Sequence, residues 1–92
     1  MNEKQKNTFK HPEYTLEYYE KRVRQELERA KRLHPNYPEN MLHQVAIINE
    51  EVGEMTKAVL QYHYEGGNVH DISVELTQTA AMCLRMLENL RK

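Results

Sequence analysis

Between residues 16 and 30 the apolar side chains Leu16, Tyr19, Val23, Leu27 and Ala30 recur at steps of three and four. That spacing keeps them on one side of an α-helix and predicts a first helix from Thr15, its N-cap, to about Leu33. The remaining sides carry Glu17 before Lys21, Glu20 before Arg24 and Glu28 before Arg32, each at i,i+4 in the favourable order, which predicts a solvated, self-neutralising surface. His34-Pro35-Asn36-Tyr37-Pro38 then interrupts the pattern. Each proline disfavours helix at the residue before it, and Asn36 is placed to cap the next helix. The alternation resumes with Met41, Val45, Ile48, Val52, Met55, Val59 and Tyr62, predicting a second helix from about Glu39 to Tyr64. Leu42, Ala46, Ile47, Ala58 and Leu60 widen this stripe beyond what one neighbour covers, so the second helix is expected to be the central element. Gly66-Gly67 ends it, and Asn68 with Asp71 three residues later resembles a capping pair that opens a third helix. There Ile72, Leu76, Ala80, Cys83, Leu87 and Leu90 share a stripe, with Met82 and Met86 beside it and Arg91-Lys92 at the end. No strand alternation or internal repeat is present, so the fold class is all-α.

Length adds a constraint. Ninety-two residues suffice for one domain. Met1 to Lys10 is polar and reads as a flexible N-terminal arm, leaving residues 11–92 as a single all-α domain. A chain this short buries only about 60 to 65% of its unfolded surface. The wide apolar faces of the second and third helices are therefore expected to complete a four-helix-bundle core by oligomerisation, as a homo-dimer or homo-tetramer. A formal net charge of -1 without a basic block argues against a nucleic-acid polymer or an anionic membrane as partner. No apolar run approaches the roughly 20 residues of a membrane span, and the N-terminus has no secretory h-region, so the expected location is cytoplasmic. Cys83, the one cysteine, lies among apolar residues and is expected to be a small core side chain.

The informative charges are on the second helix, where Glu50, Glu51 and Glu54 crowd together and only Lys57 answers them. Like charges at i,i+3 and i,i+4 cost a helix roughly 0.2 to 0.5 kcal/mol each, so an external cation is the simplest neutraliser. Glu51 and Glu54 are three apart on one face, with about 5 to 6 Å between Cβ atoms. Glu75 and Gln78 repeat that geometry on the third helix, and the glycine turn folds it back so that the two pairs can converge. Mg²⁺ prefers hard oxygen ligands and recruits substrate phosphates to complete its octahedron. The five histidines show no i,i+4 pairing on one face, the tyrosines suit helix edges, and there is no glycine-rich phosphate loop or nucleophile triad.

The run Asn49-Glu50-Glu51-Val52-Gly53-Glu54-Met55-Thr56-Lys57-Ala58, followed later by Glu75-Leu76-Thr77-Gln78, resembles the all-α nucleotide pyrophosphohydrolases of the MazG-like family, whose pattern is EExxE, a spacer, then ExxD. The likeness covers about half the chain. It implies Mg²⁺-dependent hydrolysis of a nucleoside triphosphate to monophosphate and pyrophosphate, with Mn²⁺ as a substitute ion, in dimers or tetramers. It also implies that Glu51, Glu54 and Glu75 are metal ligands, that Glu50 is the remaining catalytic acid of the motif, and that Lys57 contacts substrate phosphate. Gln78 stands where the family has Asp, which removes one charge and one strong ligand. An amide oxygen still coordinates a hard cation, and Asp71, one turn before Glu75, is a further candidate ligand. The rival expectation is a non-catalytic relative, a helical oligomer serving as a nucleotide-binding or protein-interaction module.

Overall fold

A computed structural model describes residues 13–90 of the chain, which form three helices: α1 (Leu16–Leu33), α2 (Met41–Tyr64) and α3 (Val69–Asn89). The expected arm at Met1 to Lys10 and the basic end at Arg91-Lys92 lie outside the described residues.

Side chains set where each helix begins. The Thr15 hydroxyl accepts the Tyr18 N–H at 3.2 Å, and Asn68 accepts the Asp71 N–H at 3.0 Å, as the sequence predicts. The start of α2 differs from expectation. Asn40 is the cap, accepting the Leu42 N–H at 2.7 Å, and Asn36 stays in the connection. Pro38 keeps Tyr37 out of helical conformation, and the buried Gln44 amide donates back to the Pro38 carbonyl at 2.7 Å, which holds this segment against the first turn. At the other end of α2, Gly66 takes the left-handed φ of 73° and the Gly67 N–H donates to the Gln61 carbonyl at 2.9 Å.

The packing order corrects the sequence reading. α3, not α2, is the central helix: it lies along both α1 and α2, which barely touch each other. Small side chains on α3 permit this, with Ala81 wholly buried and Thr77 nearly so. The Thr77 hydroxyl turns back to the Ser73 carbonyl and demands no partner from a neighbouring helix. The tie to α1 is polar. Arg85, 5% exposed, donates to the His34 carbonyl at 2.7 Å and the Ala30 carbonyl at 3.4 Å, and its guanidinium lies 4.5 Å from the Tyr37 ring centroid. It thus satisfies the last carbonyls of α1, where the helix dipole favours a cation. Lys31 and Glu88 pair at 2.8 Å across the same interface.

Two further expectations change. Along α1 the ion pairs among the described residues form at i,i+3, Glu26 with Arg29 and Glu28 with Lys31, in place of the i,i+4 set. Cys83 is exposed rather than buried, because the α3 stripe to which it belongs faces outward: Leu76, Leu87 and Leu90 are each about half exposed. The buried apolar core among the described residues is only Leu27, Ala30, Ala58 and Ala81. No helix among the described residues is long and apolar enough to cross a membrane.

Candidate functional site

The antiparallel turn at Gly66-Gly67 brings the acidic segment of α2 alongside the first half of α3. Glu51 is the hub. It is part-buried, and its carboxyl is pushed above the usual carboxylate range, first by burial and then by the negative charges of Glu75, Glu54, Glu26 and Glu50, in that order. Glu75 is half-buried, and its Oε2 is fully enclosed with no hydrogen-bond partner. A buried carboxylate oxygen without a donor is costly and marks a place where a ligand would relieve the cost.

Between α1 and α2, floored by α3, runs a cleft of about 400 Å³. Glu50, Glu51 and Gln78 line it, together with Glu26, Arg29 and His34 from the α1 side. The structure therefore gathers Glu50, Glu51 and Gln78 at one cavity and sets Glu75 and Glu54 near Glu51. It leaves Lys57 and Asp71 exposed and outside the cleft lining. The side chains as placed are not drawn together into a cage: among the described residues no three His, Cys, Asp or Glu groups stand close enough to hold a metal ion.

The oxygen-only donor set fits a hard divalent cation. Glu51, Glu54 and Glu75 supply charged oxygens and Gln78 a neutral one, and Oε2 of Glu75 has no partner of its own.

Glu26 and Arg29 belong to this neighbourhood and do not stand out in the sequence. Glu26 carries one cue, since it is the acid of α1 followed at i+4 by an alanine, Ala30, rather than a base. Arg29 meets it from i+3, with Nε to Oε2 at 2.9 Å and Nη2 to Oε1 at 2.8 Å.

In comparisons with known proteins, no family model, no curated protein and no solved structure matches this chain.

Proposed function

We propose that this chain is a MazG-like, Mg²⁺-dependent nucleoside triphosphate pyrophosphohydrolase, releasing nucleoside monophosphate and pyrophosphate. The observation that carries the reading is the crowding of carboxylates around Glu51. Four acids from three helices act on it there, and the Glu75 oxygen nearby has no donor. A packed fold retains such an arrangement at a cost in stability, and a bound cation turns that cost into affinity. Bound Mg²⁺ supplies charge neutralisation for the phosphates and a more acidic water. Glu51, Glu54 and Glu75 hold it, with the Gln78 amide oxygen as a weaker fourth donor, and Mn²⁺ can replace it. Glu50, on the cleft wall, accepts a proton from the water it orients. Lys57, exposed one turn beyond Glu54, meets the outer phosphates, and Asp71 is the more distant reserve ligand.

The assembly belongs to the same proposal. Among the described residues the buried side chains are few and nothing covers the α1–α3 groove, and a homo-dimer or homo-tetramer completes a four-helix core there.

A second reading is favoured by one observation, the Gln78 amide lining the cleft where the family pattern has an acid. In that reading the chain binds a nucleotide or a protein without turning anything over. Pyrophosphate release from a panel of nucleoside triphosphates, with and without Mg²⁺, separates the two. Release that needs Mg²⁺ and vanishes in Glu51→Gln supports the enzyme. Silence across the panel, with Mg²⁺ and nucleotide still raising the melting temperature, supports the binding module.

A further inference from the structure

The polyphosphate chain of a nucleotide needs fixed N–H donors as well as a metal ion, and the acidic residues on the α2 side of the cleft offer only carboxylates. The α1 side offers Arg29. Its guanidinium is held in plane by the two contacts to Glu26, at 2.9 and 2.8 Å. Those contacts use two of five N–H donors, so three stay open. Its side chain is about half exposed, so the open donors are accessible.

An exposed i,i+3 pair of this kind is screened by solvent and contributes little to stability. Stability alone therefore gives little reason for the pair to stand on the cleft wall opposite Glu50 and Glu51. A planar fork matches phosphate oxygens bidentately, which a lysine ammonium does not.

We propose that Arg29 is a polyphosphate-binding residue on the α1 wall of this cleft, in addition to Lys57, and that Glu26 is its positioning residue, fixing the plane of the fork. The proposal rests on the cleft being a nucleotide site, and it extends that site to α1. Glu26 has two effects: it aims Arg29, and its charge adds to the field at Glu51. Arriving phosphates are met by Arg29 from one wall and by metal-bound carboxylates from the other.

Calorimetric titration of the full chain with Mn²⁺ alone, then with inorganic tripolyphosphate in the presence and absence of Mn²⁺, tests this without requiring turnover. Arg29→Gln should weaken tripolyphosphate binding roughly ten- to hundredfold, the scale of hydrogen bonds to a charged group, while Mn²⁺ alone binds as in the parent. Arg29→Lys should recover only part of the loss, and Glu26→Gln should weaken tripolyphosphate less than Arg29→Gln does. Circular dichroism and melting of each variant check that the fold persists. If the parent binds Mn²⁺ and tripolyphosphate while Arg29→Gln binds both equally well, the role of Arg29 is overturned and the metal site stands. Loss of tripolyphosphate in Lys57→Gln with no change in Arg29→Gln overturns it in the same way. A parent that binds neither probe removes the nucleotide site and this inference with it. Binding of tripolyphosphate that depends on Arg29 but not on Mn²⁺ supports the inference and counts against the metal.

Discussion

Glu51 shows how a single side chain carries both the cost and the use of the site. Its carboxyl is raised by burial first and then by Glu75, Glu54, Glu26 and Glu50. The folded protein therefore holds that proton more tightly than the unfolded chain does. Stability from this group is full below the unfolded carboxylate range and is lost as the pH rises through the raised folded value. Glu51→Gln removes the charge, so without divalent ions it should melt above the parent at neutral pH, and the difference should close in acid. Saturating Mg²⁺ should reverse the order, because a ligand at one hundred times its dissociation constant adds about 2.7 kcal/mol to the parent alone. Thermal melts across pH, with and without Mg²⁺, measure both effects; a variant less stable than the parent at neutral pH without metal would mean that the charges do not oppose folding. The acids of α2 are legible in the sequence because they are close together and unanswered. Glu26 and Arg29 are not, since their place at the cleft depends on how α1 is rotated against α3.

At the scale of elements, the glycine turn between α2 and α3 is legible in the sequence, while the cap of α2 and the packing are not. Gly66 has the left-handed φ that glycine adopts freely, and a Cβ on Gly67 would stand 3.0 Å from the Gln61 backbone carbon. Gly66→Ala should cost about 1 to 2 kcal/mol, with the loss read in urea or thermal melts. Gly53 gives the opposite case. It lies inside α2 among the site carboxylates, and a Cβ there meets nothing within 4 Å. Gly53→Ala should add roughly 0.5 to 1 kcal/mol, since alanine loses less backbone freedom in a helix. Melting temperatures should then rank Gly53→Ala above the parent and the parent above Gly66→Ala. Gly53→Ala below the parent would show that this position needs backbone freedom that the static helix does not reveal. The wide stripe of α2 points to the wrong central helix because apolar width counts residues to be covered, not which chain covers them. The position of α3 depends instead on its small residues and on Arg85, whose reach to the Ala30 and His34 carbonyls crosses more than fifty positions of sequence.

The described residues form a body more open than a compact domain. Its radius of gyration is 15.0 Å over extents of 48 × 28 × 20 Å, against about 12 Å for a compact domain of this length. The excess follows from three rods with α3 in the middle and the outer two barely in contact, a layer in which, among the described residues, no further element covers the faces of the helices. A groove of about 870 Å³ runs between α1 and α3, lined by Leu16, Tyr19, Val23, Leu27, Cys83 and Leu87. Leu16 is 74% exposed and Leu87 57% among the described residues, so at roughly 25 cal/mol per Å² of apolar area a second copy seated here adds burial that the three helices of one copy do not supply. Sedimentation should accordingly give a mass of at least twice the 11.0 kDa chain, and the melting temperature should rise with protein concentration. Leu87→Lys places a charge in the groove; it should shift the protein towards monomer, lower the melting temperature and open Cys83 to a thiol reagent that labels the parent slowly. A parent that sediments as one chain, melts at the same temperature at every concentration and labels at once at Cys83 would show that three helices suffice. The sparse core would then be the protein's own stable state, and the four-helix assembly would have no basis in this fold.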